Sequence, residues 1–170
     1  AKSLVVDAKA GAVLTGDVDI VAQSVDFAPG AVGGTSVNGA GTAGSLSITT
    51  LNDSGFVSLY NVGGNNPVNS LNVSNAGTTT LGGRVIRTNT AAGVDLSNAT
   101  TVTVEADLAV DTSKSNGEVD FSGANVSGPH SVTITSGSGD VQLGSFDGIS
   151  SISVVSAGET TLWDSGIRST

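Results

Sequence analysis

Apolar and polar residues alternate in short strings along most of this chain: "DVDIVA", "SLSIT", "FVSLY", "SLNV", "TVTVE", "LAVDT", "EVDF", "SVTIT", "DVQLG" and "SISVV". Each string has the period of two that puts successive side chains on opposite faces of a strand, and β-branched residues fill it. The pattern predicts strands of about four to six residues. Between them stand "NDSG", "NAGTT", "SGSGD" and "SAGE", which are turn sequences. No long stretch carries apolar residues at the 3.6-residue period, so helix is excluded as a major element.

The phase of the alternation predicts which residues face inward. They are Leu46 and Ile48, Val57 and Leu59, Leu71 and Val73, Val102 and Val104, Val119 and Phe121, Val132 and Ile134, Val141 and Leu143, Ile152 and Val154. Phe27 joins Phe121 as core by its place in "VDF". Phe56, Tyr60 and Trp163 fall on the opposite phase and should face outward.

A longer pattern overlies the short one. "SLNVSNAGTTTLGGRVIR" returns as "SISVVSAGETTLWDSGIR", with Leu71 matching Ile152, Leu81 matching Leu162 and Arg87 matching Arg168 at an offset of 152 − 71 = 81. "SVDF" is echoed by "EVDF", and strands at Leu46, Leu71, Val102, Val132 and Ile152 read as equivalent places in successive units. Short strands recurring every twenty to thirty residues point to a solenoid, in which each turn of chain stacks on the last. Loose fidelity is then expected, because only inward positions and corners are constrained. An antiparallel sandwich is the alternative, but it gives no reason for a sustained offset. The segment 28–44, "APGAVGGTSVNGAGTAG", interrupts the pattern and reads as a protruding loop in a single solenoid segment spanning 1–170.

Composition narrows the function. Only 12% of residues are charged, and six Lys and Arg against fifteen Asp and Glu leave a net charge of −9. Without clustered cations the chain cannot neutralise phosphates, which argues against nucleic acid and against an anionic membrane surface. No apolar run is long enough to cross a bilayer. With no Cys there is neither disulfide nor thiol chemistry. The opening "AKSLVVDA" already has strand character, which reads as a piece of a longer protein.

The phrases "VDTSKSNGEVDFSGANVSGPHSVTITSGSGDVQLGSFDG" and "SSISVVSAGETTLWDSGIRS" resemble the degenerate repeats of very large bacterial surface and secreted adhesins, the filamentous-haemagglutinin-like and autotransporter-like exoproteins. That resemblance covers most of residues 45–170. It implies a right-handed parallel β-helix, an extracellular or cell-surface location, a non-catalytic adhesive stalk, and a surface protein or glycan as partner. It transfers no catalytic motif.

Several side chains offer candidate chemistry. A polysaccharide hydrolase or lyase on this scaffold needs paired carboxylates, and Asp17, Asp19, Asp26, Asp107, Asp111, Glu118 and Asp120 supply candidates. Their recurrence in repeated phrases reads instead as a solvated acidic surface. Calcium would want tandem Gly- and Asp-rich repeats, and "SGSGDVQLG" matches only once. A lone His130 offers too few ligands for a metal, so no cofactor is expected. Outward Thr strings at Thr103–Glu105 and Thr133–Thr135 suggest an ice-binding array, broken by charge. Phe56, Tyr60 and Trp163 remain as candidate ligand or partner contacts, suited to stacking on sugars. Cutting a solenoid leaves open strand edges, so end-to-end self-association is a further expectation.

Overall fold

A computed structural model describes residues 3–5, 11–27, 36–40, 44–163 and 166–169. Among these residues all regular structure is β, and every strand pairing is parallel. The chain coils as a β-solenoid of three faces. Parallel neighbours require a crossover between them, and here the crossover is the rest of one circuit.

The first face stacks Val18–Ala22, Leu46–Thr50, Leu71–Ser74, Val94–Asn98, the first half of Val119–Ser127, the first half of Val141–Ile149, and Thr160–Leu162. Its register runs Val18, Leu46, Leu71, Val94, Val119, Val141, Thr160, which makes six circuits of 28, 25, 23, 25, 22 and 19 residues. The second face stacks Ser3–Val5, Ser24–Asp26, Gly55–Leu59, Ala76–Leu81, Thr101–Val104, the second halves of the two nine-residue strands, and Ile167–Ser169. The third carries Ala12–Leu14, Val37–Gly39, a bridge at Val62, Val85–Arg87, Leu108–Asp111, Ser131–Thr135 and Ser151–Ser156.

Alternation decides what fills the coil. On the third face Val37, Val62, Ile86, Val110 and Ile134 form one buried column. On the first face Leu46, Leu71, Val94, Val119 and Val141 form another. Phe121 and Phe146 meet edge to face inside, ring centres 6.2 Å apart. Each fully buried side chain of this size contributes about 1.5–3 kcal/mol, and the columns are continuous, so that contribution repeats circuit by circuit.

Fourteen of the sixteen residues assigned inward from the alternation are buried, and Phe27 with them. Ile152 and Val154 have the right phase but are only half-buried, because no further circuit covers them among the described residues.

The assignment of strands to common positions needs correction. Leu46 pairs with Leu71, and Val132 with Ile152, as the repeats suggest. Val102, however, lies on the second face and Val132 on the third, so the five strands form no single column. The two "VDF" phrases also part company: Val25 belongs to the second face and Val119 to the first. The 81-residue repeat is likewise not a whole number of circuits. Leu71–Ser74, Ala76–Leu81 and Val85–Arg87 occupy the first, second and third faces. Their counterparts Ser151–Ser156, Thr160–Leu162 and Ile167–Ser169 occupy the third, first and second. A strand phrase can therefore serve any face.

Segment 28–44 is not loop throughout. Val37–Gly39 is a strand on Ala12–Leu14, with Val37 buried, while 28–35 and 41–43 lie outside the described residues.

Candidate functional site

The outward positions of three adjacent circuits make a grid on the second face. Strand Gly55–Leu59 presents Phe56 and Ser58, and Tyr60 follows it. Ala76–Leu81 presents Thr78 and Thr80, followed by Gly82. Thr101–Val104 presents Thr101 and Thr103, followed by Glu105. Register places Phe56, Thr78 and Thr101 in one row and Ser58, Thr80 and Thr103 in the next. Gly82 N–H donates to Leu59 C=O (2.9 Å) and Glu105 N–H to Leu81 C=O (3.1 Å), which extends the ladder into a third row of Tyr60, Gly82 and Glu105. Rows repeat at ~4.8 Å across strands and ~6.6 Å along them.

The grid has a definite chemistry. Four Thr and one Ser offer hydroxyls that both donate and accept. Phe56 is 46% exposed at one corner, and half-buried Tyr60 stands at another. Gly82 leaves a notch between Tyr60 and Glu105: a Cβ there would lie 3.3 Å from Glu105 Oε2. Glu105 is the one charge among the nine positions. Asn125 and Ser127 continue the first two rows on the next strand.

Of the three aromatics expected as contacts, the structure brings two together. Phe56 and Tyr60 share the grid. Trp163 is 63% exposed but follows Thr160–Leu162 at the last level of the first face, its Nε1–H donating to Gln142 Oε1 at 2.9 Å. Five circuits separate it from Phe56, roughly 24 Å along the axis. The Thr array is also differently placed from the expected one. Thr133–Thr135 lies on the third face, and the true neighbours of Thr101 and Thr103 are Thr78 and Thr80.

The carboxylates do something the sequence reading did not assign. Asp17, Asp107 and Asp140 each accept, through Oδ1, the backbone N–H of a residue in the next circuit: Ser45 at 2.8 Å, Ser131 at 3.0 Å and Glu159 at 2.9 Å. Asn38, Asn61 and Asn116 do the same for Asn65, Arg84 and Ser138. Asp95, Asp111 and Asp120 instead accept the N–H two residues on, from Ser97, Ser113 and Ser122. The signal was legible as Asp-x-Ser in "DLS", "DTS" and "DFS", which closes an Asx turn. These oxygens supply partners to amides that leave the ladder at corners.

Asp95 and Asp120 are direct neighbours on the first face, and Asp95 Oδ2 also accepts from Asn72 Nδ2 at 3.0 Å. Glu118 accepts from Gln142 Nε2. Among the described residues no three His, Asp or Glu gather as metal ligands, and no helix is long and apolar enough to cross a membrane. His130 Nδ1 lies 3.9 Å from Asp107 Oδ1, a loose surface pair of little energetic weight.

Three parallel faces wound about one apolar core define the class: a parallel β-solenoid. Compared with known family models, curated proteins and solved structures, the chain matches none.

Proposed function

We propose that this chain is a segment of a rigid, non-catalytic stalk displayed at a bacterial surface, which holds an adhesive face away from its anchor. The observation that carries this reading is the unbroken parallel ladder through six circuits over one apolar column. Each circuit bonds only to its neighbours, so stiffness adds along the axis and length changes by adding circuits. The carboxylates support it too, since six Asp close backbone amides at corners rather than facing one another across a cleft. The resemblance to adhesin repeats supplies the cellular setting, outside the cell or on its surface.

A second reading, carbohydrate binding, is favoured by the grid. Hydroxyls flanking the exposed Phe56 and half-buried Tyr60 rings match the alternation of hydroxyl and apolar ring face on a sugar. Both readings are tested by incubating the protein with neutral and acidic polysaccharides and measuring retention and released sugar. Binding without release, reduced by Phe56→Ala and Tyr60→Ala, supports an adhesive face. Sustained sugar release, abolished by Asp95→Asn or Asp120→Asn, overturns the non-catalytic stalk in favour of a hydrolase or lyase.

A further inference from the structure

We propose that the grid on the second face selects an amine-bearing glycan, a chain of amino sugars laid along the solenoid axis with one ring seated on Gly82. This selectivity rests on the carbohydrate-binding reading of the grid and adds to it the class of sugar.

The hydroxyls run further than three circuits. Register continues the middle row from Ser58, Thr80 and Thr103 to Ser127, so four consecutive circuits each raise one hydroxyl in a line parallel to the axis. The row beside it, Phe56, Thr78, Thr101 and Asn125, carries no charge. Successive strands stand ~4.8 Å apart, about the length of one sugar ring, so an extended glycan meets one hydroxyl per sugar. Hydroxyls that both donate and accept suit a polyol, whose own groups do the same.

The carboxylates set the sign of the ligand. Asp26 precedes Ser58 in the middle row, Asp147 follows Ser127, and Glu105 closes the third row. From Asp26 to Asp147 no Lys or Arg stands at a described outward position of this face. Arg84 is exposed at the corner beyond Gly82, but among the described residues the one ion pair is His130 with Asp107. Glu105 thus keeps its negative charge open to a ligand.

Three chemistries meet at Gly82. Tyr60 stands one circuit to one side, Glu105 one circuit to the other, and Thr80 two residues back along the strand. A Cβ on Gly82 would lie 3.3 Å from Glu105 Oε2 and 3.7 Å from Leu59 O, so the carboxylate borders the space that glycine leaves. A ring placed there lays its apolar face against Tyr60 and exchanges hydroxyl bonds with Thr80 and Thr103. Its protonated amine donates to Glu105 in a charge-assisted bond. A neutral sugar makes every contact but the last, and a uronic acid meets Glu105 with like charge.

Titration calorimetry with β-linked hexamers of glucosamine, N-acetylglucosamine and glucose tests this, at a mildly acidic pH where sugar amines are protonated and carboxylates charged. Glucosamine should bind at least about tenfold more tightly than glucose, and added salt should shrink that margin. Glu105→Gln should erase the margin while glucose binding persists. Gly82→Val, checked by melting for an intact fold, should lose affinity for all three. Glucose or N-acetylglucosamine held as tightly as glucosamine overturns the amine selectivity and leaves carbohydrate binding standing. So does a margin that survives in Glu105→Gln, undiminished binding by Gly82→Val, or tighter binding of a uronic acid hexamer. If none of the hexamers is held, carbohydrate binding itself falls, and the amine selectivity with it.

Discussion

The chain runs nearly the same phrase twice, once in the middle of the stack and once at its end, and the two copies fare differently. In the middle, Leu71, Val73 and Leu81 are each at most 1% exposed. At the end, Ile152 and Val154 are half-buried and Leu162 is 56% exposed. Propensity, alternation and turn residues are shared, so local sequence cannot account for the difference. A second flanking circuit does. Burial in this fold is a property of neighbours, which is why stability should be a sum of circuit-to-circuit terms with the terminal ones smallest.

Paired substitutions at matching positions can break or sharpen that contrast, and the largest effect should fall on the aliphatic pair. Leu81→Ala removes a fully enclosed side chain and should cost about 2–5 kcal/mol. Leu162→Ala at the matching place should cost under about 0.5 kcal/mol, as for an exposed site. Denaturant titration of both variants checks this. Equal losses would contradict it.

Next come the glycines. A Cβ at Gly77 would lie 2.4 Å from Asp53 O, and one at Gly158 would lie 2.5 Å from Ser138 O. The clash is nearly the same, but the last circuit can shift where the inner one is held from both sides. Gly77→Ala should therefore lose about 1–3 kcal/mol and Gly158→Ala clearly less. Thermal melting of the pair measures the ratio.

A smaller effect, of opposite sign, is expected at Thr79. Its side chain is fully buried between Val57 and Val102, and Oγ1 has no hydrogen-bond partner. Replacing that hydroxyl with a methyl removes an unmet desolvation cost, so Thr79→Val should stabilise by about 1 kcal/mol. The counterpart Thr160 is exposed, and Thr160→Val should change the denaturation midpoint negligibly. A destabilised Thr79→Val protein would mean that the hydroxyl has a bonded role.

The weakest expectation concerns the arginines. Arg87 Nη1 donates to Gly64 C=O at 3.1 Å on an exposed surface, so Arg87→Ala should move stability by less than about 0.5 kcal/mol. Hydrogen exchange offers a check on the whole set. Amides of Ser151–Ser156 should exchange well before those of Leu71–Ser74.

The sequence made the strands and their inward residues legible, because alternation is local and needs no partner. It did not reveal which strand lies on which. Circuits vary from 28 to 19 residues, so equal spacing in sequence does not mean equal position in space. The 81-residue echo ends eleven strand positions further on, three circuits and two faces. The Thr grid failed to appear for the same reason: Thr78 and Thr80 become neighbours of Thr101 and Thr103 only through register. Phe56 and Tyr60 were legible as outward by phase, whereas their distance from Trp163 was not. The corner role of Asp and Asn across circuits also needed the fold, since Asp17 and Ser45 stand 28 residues apart.

The unequal circuits carry one more consequence. The variation gathers at two corners: from third face to first, eight residues lie between Val62 and Leu71 but three between Ser156 and Thr160, and from second face to third, ten lie between Asp26 and Val37 but one between Ile149 and Ser151. The handover from first face to second is tight by contrast, with Asn75 alone, at φ 58°, between two strands. Two corners of the prism thus behave as seams where length is free, and the third as a spine where it is short. Foreign peptides grafted along either seam would hang in a row at one-circuit spacing, and the wound body beneath would keep its pitch.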